Sequence, residues 1–334
     1  MIQVGIIGAG RIGQVHARSI LTGVPNANIR AIADPYMSES AEAMAKGFGI
    51  EHIYRDYRRI LDDRKIDAVL VCSSTDTHSK LSIEAIEAGK HVFCEKPIDH
   101  DLAKIDAVEA ALKAAKKPLK YQVGFNRRFD HNFRALKKAV DDGKVGDVQF
   151  VRVSSRDPEP PPAGYVKSSG GLFLDMMIHD LDMIRFLSGS EVEEVYALGA
   201  VLIDPEIGKE GDVDTATVSA RMANGALALI DNSRKAVYGY DQRVEVFGSK
   251  GCITADNETP NLTTLYTEDG VMREKPLYFF LERYNDAFIA EEQGFVNSVL
   301  EDKPTLVNAT DGLKPVLIAM AAKKSLETGM PVKL

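Results

Sequence analysis

Short apolar runs alternate with amphipathic stretches along the first part of the chain. The apolar runs predict strands at residues 2–7, 29–33, 68–72, 91–94 and 120–124. Helical periodicity predicts helices between them, at about residues 12–22, 38–48, 79–88 and 103–115. Strands that alternate with helices form a parallel sheet through right-handed crossovers, and short apolar strands indicate that both of its faces are covered. We therefore predict an α/β domain with a doubly wound parallel sheet over residues 1–123.

The pattern changes after about residue 124. Helices are predicted at about residues 133–141, 171–187, 283–300 and 313–328, with a strand that ends near Ser154 and a proline-rich loop at 158–164. From about residue 192 to 255, β-rich runs are separated by turn signals such as Asn224-Gly225, which indicates antiparallel pairing. We predict that residues 124–334 form an α+β domain with an open, mostly antiparallel sheet for substrate binding and oligomerisation. Its C-terminal helix can pack back on the first domain.

Composition and charge exclude several classes of protein. With 334 residues, 45% of them hydrophobic and 27% charged, the chain has the composition of a globular protein and the length of two domains. A net charge of −8 argues against a nucleic-acid partner. No apolar run is long enough to span a bilayer, and a strand-like run follows Met1 where a signal peptide would lie. The three cysteines are too widely spaced for a metal site, so we expect a cytoplasmic protein without a metal or a membrane contact.

A glycine motif joins the first strand to the first helix. Gly8-Ala9-Gly10-Arg11-Ile12-Gly13 reads G-x-G-x-x-G. In this context the first glycine permits a tight turn, the second lets the backbone approach a pyrophosphate, and the third lets helix and strand pack closely. The helix N-terminus adds N–H groups and the positive end of its dipole. The motif predicts a Rossmann dinucleotide site that includes Gly8, Gly10, Arg11, Ile12 and Gly13, with a ligand-free glycine turn as the alternative.

Asp34 lies about 20 residues after the motif, at the end of the second predicted strand. A carboxylate there accepts the hydrogen bonds of an adenosine ribose and repels a 2′-phosphate, which favours NAD over NADP. A turn aspartate before Pro35 is the alternative, and the two roles are compatible. Hydroxyl groups cluster after the third strand, where ligands of doubly wound sheets bind, although a helix cap is the common alternative. This second group of candidate cofactor residues is Ser73, Ser74, Thr75 and His78.

Two further segments carry residue types suited to proton transfer. Glu95-Lys96-Pro97 follows a predicted strand, and its Lys-Pro bond can be cis; a surface lysine before a turn proline is the alternative. Asp175, His179 and Asp182 are spaced i, i+4 and i+7, which places them on one face of a predicted helix. A carboxylate one turn away orients an imidazole. A core histidine and a zinc ligand are the alternatives, but no further Cys or His lies near in sequence to complete a zinc site.

Three segments, GAGRIG, EKP and GGLFLDMMIHDLD, together resemble the glucose–fructose oxidoreductase, inositol dehydrogenase and rhizopine-catabolism family, Gfo/Idh/MocA. The stretches VGFNRRFD, SRDPEPPP and VYGYDQRVEVFGSKG are similar to its inositol-oxidising members, so the likeness covers nearly the whole chain. The resemblance implies a Rossmann domain joined to an α+β domain. It also implies NAD-dependent oxidation of a secondary hydroxyl of a cyclic polyol, first of all myo-inositol to 2-keto-myo-inositol.

The same resemblance implies a catalytic set of Lys96, Asp175 and His179. An imidazole titrates near neutrality, so His179 is expected to be the general base, with Asp175 holding its tautomer and Lys96 stabilising charge on the reacting oxygen. Glu95 and Lys96 are also expected beside the cofactor. Polar residues expected to contact the substrate are Arg127, Asp157, Asp182, Tyr238 and Tyr240. An Arg127–Asp130 ion pair, and tyrosines on a sheet face, are the alternatives.

Other functions stay open at this point. A sibling enzyme that oxidises scyllo-inositol or another sugar or polyol would carry the same catalytic set. A regulatory NAD-binding protein without turnover is the remoter alternative, and the intact set of Lys96, Asp175 and His179 argues against it. The second domain has too few helices to cover both faces of its sheet, so we expect a homotetramer built through the uncovered face.

Overall fold

A computed structural model describes residues 1–334, apart from the side chain of Ala163. The chain forms two compact units: Met1–Phe129 with Asp286–Val316, and Asp130–Asn285 with Leu317–Leu334. The predicted division between residues 123 and 124 lies close to the first change of unit, whereas the segment Asp286–Val316 belongs to the first unit.

The helices follow the predicted order with several short additions, and their bounds are α1 Arg11–Gly23, α2 Glu39–Gly47, α3 Arg58–Asp62, α4 Thr75–Glu87, α5 Leu102–Ala114, α6 His131–Asp141, α7 Ala163–Ser169, α8 Ile178–Ser188, α9 Pro205–Lys209, α10 Phe280–Arg283, α11 Asn285–Leu300 and α12 Ala309–Thr328. A 3₁₀ helix covers Asn126–Phe129, and a π-helical turn covers Leu172–Met176. None of the described helices is long and apolar enough to cross a membrane.

The first unit contains a parallel sheet, whose strands are β1 Ile2–Ile7, β2 Ala27–Ala33, β3 His52–Tyr54, β4 Ala68–Val71, β5 His91–Cys94 and β6 Tyr121–Val123. Their order is β3-β2-β1-β4-β5-β6, and every pair is parallel. The chain winds outward in both directions from β1, so the crevice beyond β1 and β4 is the place where such sheets bind nucleotides. The prediction of a doubly wound parallel sheet is confirmed.

The apolar core of the first unit explains why a C-terminal helix belongs to it. Ile6 and Phe93 are fully buried on the sheet, and Phe295 and Val296 of α11 join the same cluster. Helix α11, although it lies far away in sequence, therefore covers the sheet together with helices from the N-terminal part of the chain. Burial of each such side chain is worth roughly 1.5–3 kcal/mol.

The second unit contains a mixed sheet, whose strands are β7 Val148–Arg156, β8 Val192–Ala200, β9 Thr215–Met222, β10 Leu227–Ser233, β11 Asp241–Gly248 and β12 Gly251–Ala255, with β15 Val332–Lys333 at one edge. A separate hairpin pairs β13 Thr264–Thr267 with β14 Gly270–Arg273. The sheet order is β12-β11-β7-β10-β9-β8-β15, and only β7 and β10 pair in parallel. The predicted open, mostly antiparallel sheet is confirmed.

The two faces of this sheet differ in burial. Inward-facing side chains such as Val218 and Ile230 are fully buried, and α8 packs against β7. On the other face, the cross-strand registers align Phe247, Phe150 and Leu227 in one partly exposed apolar row. Leu198, which is 56% exposed, lies on the same face but in a different row. The alternation of buried and exposed positions follows from the two-residue period of a strand.

Candidate active site

The glycine turn between β1 and α1 has the geometry of a dinucleotide site. Gly8 has a φ of +102°, and a Cβ there would lie 2.5 Å from the Cys72 carbonyl oxygen. A Cβ at Gly13 would lie 2.0 Å from the Gly8 carbonyl oxygen, whereas a Cβ at Gly10 would meet no described atom within 4 Å. The first and third glycines are therefore required by packing, while the second borders open space at the N-terminus of α1. This cradle fits a pyrophosphate.

Asp34 is fixed beside the glycine turn. Its Oδ2 accepts the N–H of Ala9 at 2.7 Å, and its Oδ1 accepts the N–H of Tyr36 at 2.8 Å. Asp34 therefore has the turn role before Pro35 that was considered as the alternative. Each carboxylate oxygen has a second lone pair, so these bonds leave acceptor capacity for a ribose, and that contact stays a prediction.

The hydroxyl cluster after β4 lies at the start of α4. Ser74 occupies the N-cap position and Thr75 begins the helix, but the Ser74 side chain accepts no hydrogen bond from the helix amides. The Ser73 hydroxyl oxygen lies 2.6 Å from that of Thr77. Ser74 therefore occupies the N-cap position of α4, but its side chain does not cap the helix. The assignment of Ser73, Ser74 and Thr75 to the cofactor stays a prediction.

His78 is buried between two backbone carbonyl groups. Its Nδ1 lies 2.8 Å from the Pro97 oxygen, and its Nε2 lies 3.0 Å from the Ser73 oxygen. Carbonyl oxygens only accept, so both ring nitrogens donate. Burial lowers the pKa of His78, but Cys94 and the two carbonyl groups raise it to about 9. His78 therefore ties the end of β4 to the segment after Lys96, and its predicted cofactor contact would be an additional role.

Glu95 and Lys96 follow β5 at the carboxyl edge of the parallel sheet. The Lys96–Pro97 peptide bond is cis, which is the first of the two alternatives considered for this segment. Lys96 is half-buried, and its backbone N–H donates to Glu95 Oε2 at 3.1 Å. Glu95 itself is only 7% exposed. The lysine thus projects from backbone that a neighbouring carboxylate holds.

In the second unit, the helix predicted over residues 171–187 begins with a π turn. The N–H of Met177 donates to the Leu172 carbonyl oxygen at 2.8 Å, five residues earlier. Asp175 lies in this turn, whereas His179 lies in the first turn of α8. The prediction that Asp175 lies on an α-helix is therefore wrong: Asp175 lies in a π turn, which is wound more widely. Such turns recur at functional sites.

An arginine that the motifs did not reveal holds Asp175. Arg234 is buried, and its guanidinium nitrogens lie 3.3 Å from Asp157 Oδ2 and 3.4 Å from Asp175 Oδ2. The Tyr165 hydroxyl donates to Asp175 Oδ1 at 3.1 Å. Burial lowers the pKa of Arg234, but the carboxylates of Asp175, Asp157 and Asp212 raise it above its usual value. Two predicted site residues, Asp157 and Asp175, thus share one buried cation.

The strand order of the second sheet explains this meeting. β7 and β10 are parallel, with Arg156 opposite Ser233, so the residues that follow them leave the sheet side by side. Asp157 donates its N–H to the Ser233 carbonyl oxygen at 3.0 Å. Arg234 comes next after Ser233. Detection of this residue from sequence requires the knowledge that β7 and β10 are neighbours.

The other predicted substrate residues have different surroundings. Asp182 is 1% exposed and lies 3.7 Å from the Arg185 guanidinium. Tyr238 belongs to a turn before β11, and its hydroxyl donates to Asp241 Oδ2 at 2.6 Å. Tyr240 is 7% exposed. Arg127 is buried in the 3₁₀ helix of the first unit. Their contacts with a substrate stay predictions.

One cluster among the described residues has the geometry of a metal site, and it consists of Asp130, His131 and Glu258. The Arg283 guanidinium lies 2.6 Å from Asp130 Oδ2 and 3.3 Å from Glu258 Oε1. Asp130 also accepts the N–H groups of Asn132 and Phe133 as the cap of α6. The acidic cluster is therefore accounted for by the Arg283 cation and by helix capping, and it needs no metal ion.

Comparison with known proteins identifies the family. Residues 2–125 match the oxidoreductase family with an NAD-binding Rossmann fold, and residues 133–254 match the GFO/IDH/MocA C-terminal domain. Myo-inositol 2-dehydrogenase of Thermotoga maritima is 50% identical, over 100% of this chain and 98% of that protein. The chain belongs to the Gfo/Idh/MocA oxidoreductase family, which confirms the resemblance and the NAD-binding Rossmann domain.

Two further relatives are named for scyllo-inositol instead of myo-inositol. The scyllo-inositol 2-dehydrogenase (NAD(+)) of Bacillus subtilis is 34% identical, over 100% of this chain and 96% of that protein. A crystal structure of scyllo-inositol dehydrogenase from Lactobacillus casei, with bound NAD(H) and scyllo-inositol, has a TM-score of 0.92 and 35% identity. That likeness covers 100% of this chain and 99% of that chain.

Proposed function

We propose that this protein oxidises myo-inositol to 2-keto-myo-inositol with NAD as the hydride acceptor. The observation that carries the proposal is the placement of Asp175, which Arg234 and Tyr165 hold in a π turn directly before the helix that bears His179. The 50% identity to a protein named myo-inositol 2-dehydrogenase supports the isomer.

In the proposed mechanism, His179 takes the proton of the reacting hydroxyl. An imidazole ordinarily titrates near neutrality, which suits the role of a general base at physiological pH. Asp175 holds the imidazole tautomer and stabilises the imidazolium that forms. Lys96 donates a hydrogen bond to the reacting oxygen, where negative charge develops as its proton leaves. The glycine turn and Asp34 would hold NAD, which would supply the hydride acceptor for the carbon that carries the reacting oxygen.

A cyclic polyol presents many hydroxyl groups, so its site needs many donors and acceptors. Asp157 and Asp182 would accept hydrogen bonds from substrate hydroxyls, while Arg127 would donate to them. The Tyr238 and Tyr240 hydroxyls would do either. Because Arg234 shares its charge between Asp157 and Asp175, it links a proposed substrate residue to the proposed catalytic set.

A second candidate is the oxidation of scyllo-inositol, which a 34% identical relative is named for. The two isomers differ in the orientation of one hydroxyl, and the same residues could serve both. Steady-state assays with NAD and with myo-inositol, scyllo-inositol or glucose measure kcat/KM for each. We expect the highest value for myo-inositol. A higher value for scyllo-inositol would move the assignment to that isomer, and absence of turnover with every polyol would support an NAD-sensing regulator instead.

We propose a homotetramer through the exposed face of the second sheet. Phe150, Leu227 and Phe247 form an exposed apolar row on that face, and exposed apolar surface of this kind usually marks an interface. Light scattering should give a mass well above the 36.6 kDa of one chain, and Phe247→Asp should shift it to smaller species. A wild-type mass near that of one chain would refute this proposal, and a mass of two chains would support only the dimer interface.

We further propose that the protein is a cytoplasmic enzyme of inositol catabolism. The free thiols of Cys72, Cys94 and Cys252 suit a reducing compartment.

A further inference from the structure

A buried cluster of charged groups lies behind Lys96 in the first unit, and the proposed mechanism does not use it. His16 of α1 is completely buried. Its Nε2 lies 2.7 Å from Glu95 Oε1, and its Nδ1 lies 2.6 Å from Glu292 Oε1. One imidazole therefore connects the helix that opens with the glycine turn, the end of β5 and α11.

Both contacts favour a positively charged His16. The Nε2 contact with Glu95 has hydrogen-bond geometry, whereas Nδ1 lies close to Glu292 without the alignment of a hydrogen bond. A neutral imidazole has one N–H, so one ring nitrogen would place its lone pair close to a carboxylate. Protons on both nitrogens remove this repulsion. Burial lowers the pKa of His16, but the carboxylates of Glu292 and Glu95 raise it to about 10. Phe93 and Phe288 pack edge-on against the ring, with centroids 5.0 and 5.6 Å away, and help to exclude water.

The imidazolium determines which acids of the cluster are ionised. Burial raises the pKa of Glu95, but His16, then Lys96 and His78, bring it below its usual value. Burial raises the pKa of Glu292, with His16 opposing the shift. Glu291 has no hydrogen-bond partner for its carboxylate among the described residues, and burial raises its pKa far above the usual value. The other titratable groups that face the cluster are the thiols of Cys72 and Cys94.

The ionised Glu95 carboxylate is held against the backbone of Lys96. Its Oε2 accepts the Lys96 N–H at 3.1 Å. Gly124, which directly follows β6, borders this carboxylate. A Cβ at Gly124 would lie 3.1 Å from the Glu95 carboxyl carbon. The carboxylate therefore packs closely against Gly124, beside the backbone from which Lys96 projects.

We propose that His16 is a positioning residue for Lys96, because it holds Glu95 ionised and in place beside it. This inference rests on the role proposed above for Lys96 in polyol oxidation. It makes the orientation of Lys96 depend on a buried cation in the helix that follows the glycine turn.

The first test replaces His16 by Gln, which can still donate to one carboxylate but carries no charge. We expect kcat with NAD and myo-inositol to fall about 10- to 100-fold near neutral pH, as displacement of a reacting group does. Without His16 the pKa of Glu95 rises, so the activity of this variant should increase with pH through a titration that the wild type lacks. Adding Glu292→Gln should restore part of kcat, because it removes an acid that competes with Glu95 for the negative charge.

The matched control is His91→Gln, the same substitution at the opposite end of β5, where we expect kcat and the pH profile of the wild type. A His16→Gln enzyme with wild-type kcat and pH profile would overturn the inference. If that variant does not fold, Glu95→Gln and Glu292→Gln serve instead. The first removes the charge beside Lys96 and should lower kcat about 10-fold or more, whereas the second keeps that charge and should change kcat less than about threefold. Equal losses would overturn the inference.

A measurement without turnover separates this inference from the proposed function. In ¹⁵N-histidine NMR spectra of the free protein, both His16 ring nitrogens should stay protonated from about pH 6 to 9. A titration of His16 near its ordinary pKa would overturn the inference even in an active enzyme. If the wild type turns over no polyol while His16 stays protonated, the proposed function fails and the buried cluster stands.

Discussion

Arg234 offers the sharpest test of the proposed active site. Replacement by Met keeps an unbranched side chain but removes the one cation that Asp157 and Asp175 share. The arginine side chain is 3% exposed, and those of Asp157 and Asp175 are 16% and 12% exposed. The variant therefore removes a buried cation from two carboxylates that have limited access to water.

The expected loss of stability follows from this burial. Removal of one partner from a buried ion pair costs about 3–5 kcal/mol. The ion-pair distances of 3.3 to 3.5 Å are long, and both carboxylates keep some contact with solvent, so we expect about 2–3 kcal/mol here. The effect on catalysis should be larger than the stability loss alone implies, because Asp175 loses the contact that fixes its orientation toward the proposed base. We expect kcat to fall about 100-fold.

The assay compares steady-state kcat and KM with urea unfolding, on the soluble, folded enzyme. Arg234→Lys keeps the charge without the planar fork and should give an intermediate kcat. Arg283→Met is the matched control, because Arg283 is equally buried and pairs with Asp130 at 2.6 Å, outside the proposed site. It should lose more stability, about 3–5 kcal/mol, because its ion pair is shorter and more deeply buried, and it should keep kcat within about twofold. Equal kcat values for Arg234→Met and Arg283→Met would refute the assignment of Arg234 to the site.

Three further predictions concern the cofactor, the base and the pH dependence of stability. Replacing Asp34 by Ala should weaken the use of NAD and narrow its preference over NADP, measured as the ratio of kcat/KM values; a wild type that uses both equally would contradict this interpretation. His179→Ala should lower kcat about 10²- to 10⁴-fold with little change in NAD affinity by calorimetry, and near-normal turnover would remove His179 from the role. The folded state raises the pKa of His16 to about 10, so the unfolded chain releases that proton near its ordinary pKa of 6.5 and the folded chain does not. The stabilisation is complete below that ordinary value and is lost as pH rises through the folded one. Unfolding free energy should therefore fall by about 1 kcal/mol per pH unit between pH 7 and 9 from this group alone, and His16→Gln should flatten that slope in urea titrations.

The sequence predicted the first sheet well because its strands are short, apolar and regularly spaced. β1 and β5 have the predicted bounds, and the glycine turn and Asp34 meet as the motif requires. β3 was missed because its three residues are only half-buried and carry no apolar run. The division at residue 123 did not place Asp286–Val316 in the first unit, because the apolar face of α11 fits a core in either half of the chain.

The residues that support the candidate site were harder to find than the residues proposed to react. Lys96, Asp175 and His179 stand in recognisable motifs, but Arg234 follows an ordinary strand and His16 looks like a core residue of α1. Arg234 meets Asp157 because β7 and β10 are neighbours in the sheet. His16 meets Glu292 because α11, which lies far away in sequence, packs in the same unit. The π turn at Asp175 escaped detection for a related reason: residue spacing alone cannot distinguish a local winding of five residues from an α-helix.

The two units solve one physical problem in the same way. A carboxylate placed beside a reacting group must be ionised and immobile, yet burial penalises its charge unless a cation accompanies it. Arg234 supplies that cation to Asp175, and His16 supplies it to Glu95. In both places the cation lies outside the motif that carries the proposed reacting group. Loss of His16 should therefore lower kcat more than it raises KM, because Lys96 is proposed to act on the transition state, whereas loss of Arg234 should change both, because Arg234 also holds the proposed substrate residue Asp157.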